Sequence, residues 1–121
     1  MDSILSKVKH LSPGTVIPKP EAKVDFTIKG WGKRHGEAAL IYLIPNHSDP
    51  RKPHEKGITA GEWEQAYRQL LITGEFTREW FNAHLARCSK EGACNFTTIG
   101  GIFSLIGLAA YWSKGVYRKV V

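Results

Sequence analysis

The segment KGWGKRHG places three cations, Lys29, Lys33 and Arg34, around Trp31. Such cations could neutralise the phosphates of a nucleic acid, and an exposed tryptophan among them could stack on an unpaired base. The alternative is structural: the indole packs on the helices, and the cations keep an edge strand solvated and block edge-to-edge aggregation. The segment therefore predicts either a nucleic-acid contact or a protected strand edge.

Positive charge is unevenly distributed along the 121 residues, which carry a formal net charge of +6. Residues 1–58 contain ten Lys and Arg against six Asp and Glu, and residues 59–95 contain four against five. The remainder has no acidic residue and three cations: Lys114, Arg118 and Lys119. This balance indicates either a polyanionic partner, here the backbone of DNA or RNA contacted by the two ends of the chain, or a positive charge that serves only solubility.

Histidines and a carboxylate in the stretch PNHSDPRKPHEKG form a third candidate site: His47, Asp49 and His54. Such groups can bind a metal or transfer protons, as in a metal-dependent hydrolase. Their spacing matches no metal-ligand signature, so a solvated loop is the favoured interpretation. The chain also has no nucleophile elbow, P-loop or dinucleotide-binding glycine motif. We therefore expect a non-enzymatic binding protein without a cofactor.

His84 and Cys88 are four residues apart on a predicted helix and could share a metal with Cys94. A fourth ligand is missing nearby, and the first two residues fall on the apolar helix face, so core packing is favoured and no metal site is predicted. The N-terminal residues lack the apolar stretch of a secretory signal, which predicts a cytoplasmic protein. In the reducing cytoplasm we expect Cys88 and Cys94 to be free thiols, with a disulfide or metal ligation as the alternatives.

The elements that position these groups are predicted from apolar periodicity. Residues 1–22 are rich in proline and predict an irregular arm with a short helical turn, followed by a single domain over residues 23–121. Alternation from Val24 to Ile28 predicts a half-buried strand. The apolar run 38–44 predicts a strand buried on both faces, joined to the first by a turn at His35-Gly36.

Glycine and proline residues add detail to this predicted hairpin and to the segments that follow it. Gly30 and Gly32 predict a bulge or a close backbone approach within the first strand. The stretch from Pro45 to Gly57 contains three prolines and is predicted as a long loop. Three helices follow it, and a final hairpin turns around Ser113-Lys114-Gly115. The helix boundaries are Thr59 (capping box with Glu62) and Gly74 for the first, Thr77 and Gly92 for the second, and Thr97 or Thr98 for the start of the third.

The third helix lies in NFTTIGGIFSLIGLAAYW, the most apolar stretch of the chain. This run falls short of the roughly 20 apolar residues that span a bilayer, so no membrane segment is predicted. A helix that is apolar all round is normally central, and its glycines predict close packing. One face could instead contact a second copy of the chain through Ile102, Phe103 and Ile106. A homodimeric interaction protein or small-ligand-binding protein is therefore the alternative function.

The order helix, helix, helix, hairpin over residues 59–121 resembles a winged helix-turn-helix domain, with YWSKGVYRK as the wing. The resemblance implies that the third helix enters the major groove and that the wing touches the backbone. Its contacts would be Thr97, Thr98 and Ser104 on the helix, and Lys114, Arg118 and Lys119 on the wing. Between Thr97 and Trp112 there is no Arg, Lys, Asn or Gln, the usual base readers, so we expect phosphate contact rather than sequence recognition.

Four segments, KGWGKRHGEAALIYLIPN, KGITAGEWEQAY, TGEFTREWF and CNFTTIGGIF, look like small bacterial proteins of unassigned role carried on mobile gene cassettes. That likeness implies a stand-alone bacterial domain and assigns no activity to any residue. The predicted fold class is α+β, with an N-terminal β-hairpin, three helices and a short C-terminal β-hairpin in a winged-helix-like arrangement.

Overall fold

The computed structural model describes residues 3–120, which form an α+β fold with two antiparallel sheets. The predicted arm includes residues 1 and 2, and the predicted domain includes residue 121. These three residues lie outside the described range. The first sheet has strand order β1-β2-β3-β4: Val16–Ile17, Phe26–Arg34, Glu37–Ile44 and His54–Thr59. The second has order β5-β7-β6: Glu75–Thr77 (β5), Ala109–Ser113 (β6) and Val116–Lys119 (β7). The helices are α1 Ile4–Lys9, α2 Ala60–Thr73, α3 Arg78–His84, α4 Ala86–Glu91 and α5 Cys94–Leu105.

The predicted first hairpin is confirmed as β2 and β3. Its two-residue turn has positive φ at both positions, 53° at His35 and 76° at Gly36, as a type I′ turn requires. The predicted irregularity is also present, because the pairing register shifts between Ile28 and Gly30. Burial of β3 is less complete than predicted, since Ala38 is exposed.

The prediction of a loop up to Gly57 is wrong at its end, because β4 begins at His54 and pairs with β3 along its whole length. This strand forms one edge of the first sheet, and its first half is polar. The apolar alternation that reveals a half-buried strand is therefore confined to its last residues. The C-terminal hairpin is confirmed as β6 and β7, with β5 as an added partner of β7.

The helix boundaries follow local capping chemistry. Thr59 caps α2 with both bonds of a capping box, and Gly74 ends the helix in the left-handed conformation. Thr77 caps α3 by accepting a hydrogen bond from the backbone N–H of Trp80. The predicted second helix is interrupted at Leu85, whose φ of −118° and ψ of 50° are not helical. The predicted start of the third helix is too late, since α5 begins at Cys94.

Replacing Thr59 by alanine should lower the free energy of unfolding by about 1–2 kcal/mol, the usual cost of losing an N-cap. The hydroxyl accepts from the N–H of Glu62, and the Glu62 carboxylate accepts from the N–H of Thr59 at 2.8 Å. Urea unfolding would measure the loss. Exposed Gln65 on the same helix gives the matched control, Gln65→Ala, and an equal loss in both variants would contradict the capping role.

The core is built around α5, as predicted for a central helix. Eight of its twelve residues are buried, which leaves no exposed face for reading a DNA groove. Ile102 and Phe103 are wholly buried among the helices, and only Ile106 is partly exposed. The first two side chains therefore do not lie on a surface open to a second copy, because they fill the chain's own core; a homodimer stays a prediction.

The segment predicted as an irregular arm is largely folded over its described residues. Ser3 caps α1, and Ile4 and Val8 of this helix are buried in the main core. Strand β1 pairs with β2, and its Ile17 is buried as well. Residues 3–17 therefore belong to the same folded unit as the rest. None of the helices within residues 3–120 combines the length and apolar character that crossing a membrane requires.

Candidate nucleic-acid interface

The first hairpin carries a groove of about 700 Å³ on the first sheet. We call it the hairpin groove; it is lined by Lys29, Gly30, Trp31, Gly32, Lys33, Arg34, His35, Ile41 and Glu55. All four candidate residues of the segment KGWGKRHG therefore line one cavity. The lining has three cations and one carboxylate, so its formal balance is positive even with His35 neutral.

Alternation along the strands places the groove opposite the core. Leu40 and Tyr42 are buried in the core, so Ile41 between them points to the other face of the sheet. Ile41 pairs with Gly30 of β2 on one side and with Gly57 of β4 on the other. A methyl group at Gly57 would lie 2.8 Å from Cδ1 of Ile41 and 2.7 Å from Nε of Arg34. The glycines thus let these two side chains lie flat across the floor of the groove.

The cations of the hairpin groove differ in how firmly they are held. Nζ of Lys29 lies 2.7 Å from the Glu55 carboxylate, and both side chains are about half exposed, 53% and 46%. Nη2 of Arg34 donates to the backbone carbonyl of Glu55 at 3.3 Å. Lys33 is exposed and forms no ion pair within residues 3–120. An exposed ion pair contributes little stability, so an incoming phosphate can replace the Glu55 carboxylate on Lys29.

Trp31 is held by protein contacts. Its ring is half-buried against the core, and the ammonium of Lys9 lies 5.4 Å from the ring centroid. The indole N–H is enclosed without a hydrogen-bond partner in the described part of the chain. This geometry is the packing alternative of the sequence interpretation, so stacking of Trp31 on a base is not needed to explain its position.

The C-terminal cations lie on the second sheet and do not line the hairpin groove. Arg118 donates to the Glu75 carboxylate at 2.9 Å, and its guanidinium lies 4.0 Å from the ring centroid of Trp112. Lys119 is exposed, and Lys114 sits in the turn between β6 and β7. The two predicted groups of cations are therefore on different elements, and the structure does not bring them into one cavity.

The residues considered as metal ligands do not form a cluster in the described part of the chain either. Within residues 3–120, no three His, Cys, Asp or Glu side chains are placed to share a metal ion. His47 and His54 are exposed, and the Asp49 side chain accepts from the backbone N–H of Arg51. The expected burial of His84 is wrong, because the spacing of four residues within α3 places its ring beside the partly buried Trp80; His84 is exposed, and the two ring centroids are 5.3 Å apart.

A second cavity, of about 370 Å³, could not be foreseen from the sequence. We call it the α5 cavity; it lies between residues 19–22, the first turn of α5 and the C-terminal sheet. Lys19 reaches into it, and its ammonium donates to the carbonyl of Cys94 and to the hydroxyl of Thr97, each at 3.0 Å. The pKa of Lys19 is lowered to about 8, mainly by burial; Cys94 acts in the opposite direction, and the nearby charge of Arg78 also lowers the pKa. No local sequence pattern joins these distant residues.

The thiols have different surroundings. Cys88 is fully buried, and burial raises its thiol pKa. Cys94 is partly exposed, lines the α5 cavity and lies 3.2 Å from the hydroxyl of buried Tyr42. Both are free thiols in the structure, as expected.

No protein-family model, curated protein or solved structure matches this chain. What the two cavities do must therefore follow from their own residues.

Proposed function

We propose that this protein is a small non-enzymatic binding protein that contacts the phosphate backbone of nucleic acid through the hairpin groove. The observation that carries the proposal is that Lys29, Lys33 and Arg34 all line one groove, together with Gly30 and Gly32. Apart from its chain neighbours, no atom lies within 4 Å of the position that a Cβ would take at Gly30, so a phosphate can approach the backbone of β2 closely there. The cations then replace the counterions that nucleic acid releases on binding.

The mode of binding follows from the remaining lining residues. Trp31 is engaged with Lys9 and the core, so stacking contributes little, and single strands gain no special advantage. Binding should instead follow the charge density of the backbone, whatever its sequence. The C-terminal hairpin offers Lys119 as an outlying contact, whereas Arg118 is engaged with Glu75. A winged-helix mode with α5 in the major groove is not part of the proposal, because that helix is buried.

Removing two groove cations should weaken binding and flatten its dependence on salt. For duplex DNA the slope of log K against log salt concentration becomes shallower by about 0.9 for each phosphate that the protein no longer neutralises, so the double variant Lys33→Ala/Arg34→Ala should flatten it by about 2. Fluorescence anisotropy with mixed-sequence duplex DNA, single-stranded DNA and RNA at about 50–200 mM salt covers the informative range.

The matched control is Lys90→Ala/Lys119→Ala, which removes the same charge from two exposed positions that line neither the hairpin groove nor the α5 cavity. A smaller loss in this control than in the groove variant supports the hairpin groove as the main contact. Equal losses would mean that net charge alone drives the binding. No salt-dependent binding of the unmodified protein to any of the three nucleic acids would reject the proposed function.

A further inference from the structure

The α5 cavity is separate from the hairpin groove and shares no lining residue with it. Three cations line the cavity, Lys19, Arg78 and Lys114, against a single carboxylate, that of Glu21. The carboxylate accepts a hydrogen bond from the hydroxyl of Tyr111 at 3.1 Å. Across residues 3–120, none of these three cations forms an ion pair, so the cavity has a surplus of positive charge.

This surplus lies beside the positive end of a helix. Lys19 donates to the carbonyl of Cys94, and Nη1 of Arg78 donates to the carbonyl of Ala93 at 3.1 Å. Both cations are thereby fixed at the first turn of α5, which has twelve residues, no acidic residue in that turn and no side-chain cap. A helix N-terminus favours a negative group, and here the protein supplies cations in its place.

A buried hydroxyl is left without a partner in the same region. Tyr117 is 1% exposed, it lines the α5 cavity, and its phenolic oxygen makes no hydrogen bond within the described residues. The pKa of Tyr117 is raised to about 12, mainly by burial and to a smaller extent by Tyr111 and Glu21, whereas Arg78 acts in the opposite direction. Glu21, Arg78 and Tyr111, whose charges act on this hydroxyl, line the same cavity as the Tyr117 side chain.

We infer that the α5 cavity binds a small oxyanion, the phosphate or carboxylate head group of a ligand. Arg78 and Lys114 supply the opposing charge, and the hydroxyl of Tyr117 donates a hydrogen bond to an anionic oxygen. Lys19 adds charge from the wall of the cavity while it stays bound to the first turn of α5. An anion would complete the hydrogen bonding of Tyr117 and occupy the favourable end of the helix at once.

The test uses isothermal titration calorimetry with inorganic phosphate and, separately, with acetate and citrate, in a buffer that contains chloride as its only other anion. Tyr117→Phe removes only the unpartnered hydroxyl, and Lys114→Gln removes an exposed charge. Each should reduce affinity at least about tenfold, as expected for a hydrogen bond to a charged group or for a close charge. The controls are Tyr67→Phe and Lys119→Gln, at positions that do not line the cavity.

Thermal unfolding of Tyr117→Phe without ligand provides the second measurement. An unpartnered hydroxyl adds no stability, so the melting temperature should stay the same or rise; a clear fall would mean an internal partner and overturn the inference. Binding of phosphate alone or of carboxylates alone identifies the head group. If no oxyanion binds, or if Lys33→Ala/Arg34→Ala abolishes binding and Tyr117→Phe does not, the cavity is not the anion site.

Discussion

Replacing Gly100 by alanine should destabilise the protein by about 3 kcal/mol or more, or prevent folding altogether. Alanine in place of glycine inside a helix normally stabilises by about 0.5–1 kcal/mol, so the expected sign is the reverse of the usual one. The added methyl group would overlap ring carbons of Tyr117, which is 1% exposed. Tyr117 cannot retreat easily, because β7 is the middle strand of the second sheet. Urea unfolding would measure the loss.

Gly61 of α2 gives the matched control. A methyl group there would lie 3.3 Å from the Glu37 carboxylate, the movable end of a side chain, so Gly61→Ala should change stability by less than about 0.5 kcal/mol. A double-mutant cycle identifies the cause of the Gly100 effect. With Tyr117→Ala as background, Gly100→Ala should no longer destabilise. If Gly100→Ala alone is as stable as the unmodified protein, the packing between α5 and β7 is loose.

The close packing of α5 was expected from its glycines, but its partner was not. The sequence analysis names no partner for this packing, whereas in the structure Gly100 faces Tyr117 and Gly101 faces the backbone of Pro18. Small residues in a helix indicate that another element packs closely against it, and this signal can be read from the local sequence alone. They do not reveal which element approaches, because that depends on how distant segments pack.

Local chemistry explains which elements were predictable. The turn at His35-Gly36 and the cap at Thr59 are decided by a few adjacent residues, and both are confirmed. Strand β4 was missed because an edge strand needs few apolar residues when its partner supplies the pairing. That error hid part of the hairpin groove, since Glu55 and Gly57 lie on this strand.

The candidate sites divide in the same way. Lys29, Lys33 and Arg34 are neighbours in sequence, so a single segment sufficed to group them. Lys19, Arg78 and Tyr117 come from three distant segments that only the packing of the arm and the second sheet against α5 brings together. A site built from distant segments has no characteristic residue spacing. In the sequence its charged residues cannot be distinguished from ordinary surface residues.

Alkaline pH should produce the other large effect, a steep loss of stability above pH 10. Burial raises the pKa of Tyr42 and Cys88, and it raises that of Tyr117 to about 12. Above the ordinary values of 9.0 for the thiol and 10.0 for the phenols, the unfolded chain loses these protons while the folded chain keeps them. Each group then lowers the free energy of unfolding by about 1.4 kcal/mol per pH unit.

Lys19 acts in the opposite direction over a lower range. Between about 8 and its ordinary value of 10.5, the folded lysine is neutral while the unfolded lysine is charged, so the unfolded state binds more protons and stability rises with pH. Stability should therefore rise from pH 8, level off once Cys88 begins to oppose Lys19 at 9.0, and fall above 10.0. Beyond 10.5 the three acids act unopposed, at about 4 kcal/mol per pH unit.

Urea unfolding between pH 7 and 11, with a reductant present, would separate these contributions. Cys88→Ala should remove the opposition that begins at pH 9.0 and leave the later slope two-thirds as steep. Tyr42→Phe leaves the Asn95 side chain without the hydrogen bond that the phenol donates, so this variant should be less stable at pH 7. It should nevertheless lose stability more slowly above pH 10, and the two curves should converge. If the unmodified protein stays equally stable up to pH 11, the phenols must ionise with water around them, and the core around α5 is more open than the burial of Tyr42 and Tyr117 implies.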